Sequence, residues 1–430
     1  MEIKVVDKSG IFNPYSLEWN QTIEFPNSRS LKQFGNRIYN RYPARSIFLV
    51  PRSTVKFFGQ NKENLSVLDP FMGSGTTAVE ASNFGAKLFG TEMDPFARMI
   101  AEVSIMRFSE KDIDALKNIF EDIKTNWNST VPKDLYYPVL KNISYWFDEK
   151  NFNDLLKLKT YIYEKEICED YLKFFKIVFA DCIKPSSKME RQSTKPYISS
   201  KYTKVIKPVA ESFEASFTSH ITALLQYSDE NTKFKGKIKW LSFDATAFEG
   251  ANNKIDLAIT SPPYLNAFDY TQIVKIDSAW VGTMKDDDVE KLRNKQVGHT
   301  KRKDQKVDEF VTFVFKDYAD QLLASPKKSS KMTSENLIKV CEGYFNDILK
   351  NLHCVYKALK PNGEYHMIIG DNVINNVEIP THKIIASLAE KIGFKWSGYY
   401  KYPIKDHRTS IPRKDNGGKI KYEFVIILTK

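Results

Sequence analysis

Val67-Leu68-Asp69-Pro70-Phe71-Met72-Gly73-Ser74-Gly75-Thr76-Thr77 is the stretch whose reading decides the fold. An apolar run, Ser66-Val67-Leu68, delivers Asp69 at what reads as the carboxyl end of a strand. Gly73 and Gly75 permit tight turns and close ligand approach. From Thr77 to Asn83 the pattern is helical, so the free N–H groups of a helix start point at the loop. Such a loop can cradle a phosphate or a carboxylate. It is not a Walker A loop, because no Gly-Lys-Ser/Thr follows, and it lacks the G-x-G-x-x-G spacing.

Working outward, Lys87–Thr91 reads as a second short strand. It ends on Glu92-Met93-Asp94-Pro95. An acid about 20 residues after a first Gly loop suits both hydroxyls of a ribose; Glu92 is placed for that role. Asp94 before Pro95 reads instead as a helix N-cap with proline at the first helical position. The alternation resumes at Ile238 and Ile255. Asp244, after the strand Lys239–Phe243, is either a contact to an adenine amino group or a loop residue. Strand, loop and helix in this order indicate an α/β protein with a parallel sheet.

Between these halves, residues 108–235 read as helical, with apolar residues at helical spacing in FNDLLKLKTYIYEKE and YLKFFKIVFADCI. The expected organisation is therefore 1–107, an N-terminal segment and first half-domain; 108–235, a helical insertion; and 236–430, the second half-domain. A helix over about Ser334–Leu359 is expected to stop at a Lys360-Pro361-Asn362-Gly363 turn, followed by strands in EYHMIIG, KWSGYYK and YEFVIILTK. The charged segment 285–306 reads as a loop.

The 430 residues carry 64 Lys+Arg against 53 Asp+Glu, a net charge of +11. That excess favours a polyanionic partner such as nucleic acid. The four cysteines, Cys168, Cys182, Cys341 and Cys354, form no C-x-x-C pair, so no zinc site is expected, and scattered thiols fit a reducing cytoplasm. No signal peptide or membrane span is expected.

Thr260-Ser261-Pro262-Pro263-Tyr264 follows the apolar strand Ile255–Ile259. DPFMGSGTT (69–77) closely resembles the cofactor motif of DNA amino-methyltransferases, and TSPPY resembles their catalytic motif. Asn40-Arg41-Tyr42-Pro43-Ala44-Arg45 and Lys360-Pro361-Asn362-Gly363 are also similar to family segments. The resemblance covers roughly residues 25–105, 238–282 and 350–430. It implies the class I methyltransferase fold: seven mostly parallel strands with an antiparallel last strand at Tyr422–Leu428. It implies S-adenosyl-L-methionine as cofactor. Asp69, Gly73 and Gly75 would surround its methionine part, Pro70, Phe71 and Thr76 belong to the same motif, and Glu92 and Asp244 would hold its nucleoside. The cofactor motif precedes the catalytic motif here, whereas many relatives with TSPPY run in the opposite order. This order also occurs in transfer-RNA guanine-N2 methyltransferases.

An exocyclic amino nitrogen has its lone pair delocalised into the base. Acceptors for both N–H bonds turn that pair toward the methyl and stabilise the charge that develops. Ser261 and the Pro262 carbonyl are the candidate acceptors. Pro262 and Pro263 stiffen the loop, and Tyr264 offers a flat face for a flipped base. Asn266, Asp269 and Tyr270 resemble the family stretch that shapes the base pocket; Trp280 reads as core. No Pro-Cys occurs, which argues against cytosine C5 chemistry. A serine in this motif leans, by resemblance, toward cytosine N4 over adenine N6. For double-stranded DNA, segment 184–207 offers Lys188, Arg191, Lys195 and Lys201 as phosphate contacts. A cognate restriction endonuclease is an expected partner, and a prokaryotic cytoplasm the expected location.

Overall fold

The computed structural model describes residues 3–7, 9–26, 42, 45–129, 135–190, 193, 195–201, 203–228, 236–265, 269–298, 306–325, 332–404 and 421–430. The calls on Asn40, Arg41, Pro43, Ala44, Arg191 and Asn266 lie outside these residues.

The strands are β1 (Lys4–Val5), β2 (Gln21–Glu24), β3 (Ser66–Asp69), β4 (Lys87–Thr91), β5 (Ile238–Ser242), β6 (Ile255–Thr260), β7 (Leu359–Gly370), β8 (Asn372–Ile374), β9 (Val377–Ile379), β10 (Lys395–Pro403) and β11 (Tyr422–Thr429). All but β8 and β9, which pair with each other, form one sheet in the order β1-β2-β10-β11-β7-β6-β3-β4-β5. The sheet thus has nine strands among the described residues, not the expected seven. The difference lies at one edge, where β2 adds in parallel to β10 and β1 to β2. Strands of two and four residues are too short to announce themselves by alternation. Only β11 runs antiparallel to its neighbours β10 and β7. The other pairings in the sheet are parallel.

Helices cover both faces, as a parallel sheet requires. The first six are α1 (Leu49–Gly59), α2 (Thr76–Ser82), α3 (Pro95–Ile105), α4 (Glu110–Asn126), α5 (Glu149–Tyr163) and α6 (Glu169–Ile183). The remainder are α7 (Val209–Ser228), α8 (Tyr270–Val281), α9 (Asp286–Lys295), α10 (Glu309–Ala324), α11 (Ser334–Ala358) and α12 (Thr381–Ile392). Side chains alternate along each strand. Val67, Leu257 and Ile259 therefore meet α1, α2 and α3 on one face, through Val55, Val79 and Ala101. Leu68 and Ala258 meet α10, α11 and α12 on the other, through Phe315, Phe345 and Ile385. The α1 and α2 helices are locked by a buried ion pair, in which Arg52 Nε and Nη2 donate to Glu80 at 2.8 and 3.2 Å.

A third core joins α4–α7 to α3 and α8. Trp280 of α8 is fully buried there, with Phe147 and Phe152 rings 5.4 Å away and Phe179 at 6.2 Å. Such edge-on pairs add about 0.5–1.5 kcal/mol each beyond their buried area. The helical region is thus continuous with the elements that flank both sequence motifs.

Two local expectations are corrected. Residues 286–295 form the helix α9 rather than a loop: Asp286, Asp287 and Asp288 occupy its first turn, Arg293 and Lys295 its last. That charge order suits the helix dipole. Lys360-Pro361-Asn362-Gly363 is not a turn between helix and strand. β7 begins at Leu359 itself, and the register against β6 jumps from Ile255↔Leu359 to Leu257↔Glu364. The four residues are a bulge in the strand, with Asn362 at φ 59°.

Candidate active site

The sheet order reverses at β3: the chain leaves it through α2 to β4 on one side, and β6 flanks it on the other. In open α/β sheets ligands bind at such a point, outside the carboxyl ends of the strands. Leu68 pairs with Ala258 in register, so the two sequence motifs leave neighbouring strands at one edge. They are bonded to each other there. Thr260 Oγ1 donates to Asp69 Oδ1 at 2.6 Å, and the Phe71 amide donates to the same oxygen at 3.0 Å. Burial pushes the Asp69 carboxyl up to about 6, against the hydrogen bonds from Thr260, Thr77 and Phe71 that favour its charge.

The Gly loop is held from the β4 side. Glu92 accepts from the Gly73 amide at 2.7 Å and from the Asp94 amide at 2.9 Å. Burial raises its carboxyl to about 7, and the neighbouring charges of Asp94 and Asp69 add to that rise. Asp94 is the N-cap of α3, accepting from the Phe96 amide at 2.9 Å, with Pro95 next; burial raises it to about 6. Gly75 precedes α2 at φ 85°, and a Cβ there would lie 2.9 Å from the Ala101 Cβ. Only glycine allows the loop to turn this tightly against α3.

Among the described residues no lysine or arginine side chain pairs with the carboxylates of Asp69, Glu92 or Asp94. Buried Asp69 and Asp94 and half-buried Glu92 stand at the mouth of the Gly loop, and three carboxyls raised by desolvation suit a ligand that brings hydroxyl donors and positive charge. S-adenosyl-L-methionine carries a ribose, an ammonium and a sulfonium, and these residues fit it. Pro70, Phe71 and Thr76 lie along the same loop and the first turn of α2. Asp244 stands two residues beyond β5, exposed, with Oδ1 accepting from the amide and hydroxyl of Thr246 at 2.8 and 2.7 Å. Its geometry is that of a turn residue at the rim of the same edge.

Pro262 is buried, while Ser261, Pro263 and Tyr264 are half-buried. The Tyr264 hydroxyl donates to Glu423 Oε1 of β11. Burial and the Glu423 charge hold this phenol well above the usual tyrosine range. Asp269 caps α8 by accepting from the Gln272 amide at 3.1 Å, and Arg293 Nε of α9 reaches it at 2.5 Å. Sequence reading missed Glu423, Thr260 as the partner of Asp69, and Arg98. The Arg98 guanidinium lies 4.7 Å from the Trp240 ring and 3.5 Å from the Phe243 ring, and its Nε bonds the Glu92 carbonyl at 2.7 Å. A lone acid opening an otherwise apolar strand, Glu423 in YEFVIILT, was the one available signal.

Of the basic segment 184–207, Lys184 and Lys204 are ties within the chain. Lys184 Nζ bonds the Ser193 carbonyl at 2.7 Å, and Lys204 Nζ bonds the carbonyls of Lys184 and Ser187 at 2.6 and 2.8 Å. Lys195 and Lys201 are exposed, and Lys188 is half-buried. No group of metal-ligating side chains occurs among the described residues, and no helix among them is long and apolar enough to cross a membrane.

Residues 27–102 match the family model of a DNA methylase. The chain is 24% identical over 411 residues to the type II methyltransferase M.MvaI of Kocuria varians, covering 90% of this chain and 88% of that protein. It is 22% identical over 412 residues to M.BsoBI of Geobacillus stearothermophilus, covering 86% and 79%. Among solved structures it matches an S-adenosylmethionine-dependent methyltransferase of Methanosarcina mazei. That match has 10% identity and a TM-score of 0.31, over 86% of this chain and 95% of that one. With both motifs on one sheet edge and the family-model match spanning the Gly loop, the chain is similar to DNA amino-methyltransferases.

Proposed function

We propose that the protein methylates the exocyclic N4 of cytosine in double-stranded DNA by base flipping and direct transfer. S-adenosyl-L-methionine is the methyl donor; when bound it supplies an electrophilic methyl on a positively charged sulfur. The observation that carries the reading is the Thr260–Asp69 hydrogen bond, which ties the SPPY loop to the Gly loop across adjacent strands. Residues that would hold a cofactor and residues that would hold an amino group thus share one rigid support.

In this reading Glu92 and Asp69 receive the ribose and ammonium of the cofactor, and Asp244 borders its adenine. Ser261 Oγ and the Pro262 carbonyl accept the two N–H bonds of the target amino group. That frees the nitrogen lone pair and offsets the positive charge developing on it. Pro262 and Pro263 hold both acceptors in place before the base arrives. Lys188, Lys195 and Lys201 contact phosphates, and α4–α7 with the loop after α6 form the DNA-facing region of residues 108–235. The type II names of the relatives support a restriction–modification setting with a cognate endonuclease.

The test is mass spectrometry of nucleosides from DNA, and in parallel from transfer RNA, incubated with the protein and methyl-labelled S-adenosyl-L-methionine. N4-methylcytosine in the DNA, lost in Ser261→Ala, is the expected result. N6-methyladenine would overturn the choice of base, and label in transfer RNA alone would overturn the choice of nucleic acid.

A further inference from the structure

The parallel ladder of β4 and β5 ends on the pair Thr91↔Ser242, with a bulge just before it. Past that rung the ladder stops, and the two chains go on to residues of the candidate nucleoside site, Glu92 on one side and Asp244 on the other. One side chain spans them. Arg98, the fourth residue of α3, donates from Nε to the Glu92 carbonyl at 2.7 Å and from Nη2 to the Ser242 carbonyl. Arginine's rigid planar fork serves two fixed acceptors at once, whereas a lysine ammonium is a single point charge. The same guanidinium lies 3.5 Å from the centre of the Phe243 ring and 4.7 Å from that of Trp240. Trp240 is tied down in turn: its Nε1 donates to Glu102 at 2.8 Å, and Lys173 reaches the same carboxylate at 2.8 Å. Phe243 is different, because it stays 57% exposed.

A phenylalanine this exposed gains little from the core. Held against a cation instead, it is a preformed apolar wall at the rim, between Glu92 and Asp244 in space along the ends of β4 and β5. We propose that Arg98 is a positioning residue for the nucleoside half of the cofactor. Its fork fixes the backbone at Glu92, whose carboxylate is aimed by the Gly73 and Asp94 amides. Its flat face fixes the Phe243 ring. Arg98 acts through these two residues, not by contact with the cofactor. Walls set before the ligand arrives lose less freedom on binding, so the brace shows as affinity. This inference rests on the reading of Glu92 as the ribose acceptor, and not on the choice of base or nucleic acid.

The experiment uses the full chain and compares wild type with Arg98→Met, Arg98→Lys and Lys173→Met. Calorimetry gives the affinity for S-adenosyl-L-methionine. Displacement of labelled cofactor gives that for adenosine, which has the nucleoside and no amino acid. The kcat at saturating cofactor and the KM for the nucleic acid are measured alongside. Arg98→Met is expected to weaken both ligands by one common factor, about 10- to 100-fold, the range for losing hydrogen bonds from a charged donor. Both kinetic constants stay at their wild-type values. Arg98→Lys, which keeps the charge against the rings, falls between, and it decides the matter if the methionine variant does not fold. Lys173→Met is the control; it removes the ion pair between α6 and Glu102 of α3, away from the sheet edge, and leaves both affinities unchanged. Wild-type cofactor affinity in the Arg98 variants, a loss that adenosine does not share, a fall in kcat at saturating cofactor, or an equal loss in Lys173→Met would each overturn the inference while leaving the proposed function standing. A wild type that methylates adenine or transfer RNA, with the Arg98 losses intact, overturns the proposed function and upholds the inference. A wild type that binds no S-adenosyl-L-methionine overturns both.

Discussion

The carboxyl edge of β3, β4 and β6 and the helical core of α4–α7 use their sequence in opposite ways. At the edge, Asp69, Glu92 and Asp94 are acids pushed upward by desolvation, and Gly75 sits where no other residue fits. Asp94 caps α3 and Glu92 holds the Gly loop, yet burial raises all three carboxyls in the absence of a ligand. In the helices, Leu155, Phe174, Phe175, Ile177 and Phe179 are buried apolar residues that any well-packed bundle would accept. The contrast teaches that the edge is constrained atom by atom, and the bundle only by volume and pattern.

The sharpest test is Ser261→Ala. It should reduce kcat about 10²- to 10³-fold, the usual loss when one prearranged group stabilising a developing charge is removed, with the melting temperature unchanged. Next is Gly75→Ala. The left-handed backbone and the contact with Ala101 together should cost about 2–3 kcal/mol of stability. Denaturant unfolding would register this, and calorimetry should show weakened cofactor binding. On the other side of the comparison, Ile177→Val should cost about 0.5–1.5 kcal/mol and leave kcat and cofactor affinity untouched. A loss of cofactor affinity there would break the contrast.

The smallest effect is one of pH. Glu92 titrates at about 7 in the folded chain against 4.5 for an ordinary glutamate. Between those values the folded state holds more protons than the unfolded state, so this group adds stability as pH falls from about 7 and none above it. In cofactor-free protein, the melting temperature of wild type relative to Glu92→Gln should therefore rise from pH 8 to pH 5, by on the order of 1–3 °C. A difference that shrinks over that interval would mean the carboxylate is favoured, not disfavoured, by folding.

What the sequence disclosed follows the same division. Asp69, Glu92 and Ser261 were legible because strand, loop and helix lie within a few residues of one another. The α9 helix was misread because a run of mixed charge looks like a solvated loop, although three acids before two bases is the order a helix dipole prefers. The nine-strand count was missed because β1 and β2 are short, and they join the sheet only through the pairing of β2 with β10, nearly the whole chain away. Glu423 was beyond local reasoning: its partner Tyr264 is 159 residues earlier, and only the antiparallel course of β11 brings them together.

The pairing of β3 with β6 also sets a timetable. Ser66 bonds Asp256 and the Lys254 carbonyl, contacts 190 and 188 residues long. At ribosomal rates of about 5–20 residues per second, β3 and β4 wait roughly 10–40 s for β6 to be made. During that interval β3 exposes an unpaired apolar edge open to other nascent chains. The helices α4–α7 are synthesised in the same interval and bury their apolar faces largely against one another, with α3 already present. The long separation between the two motifs therefore makes the yield of folded enzyme depend on synthesis rate and chaperone supply. A faster-translated coding sequence shortens the wait without altering a single residue.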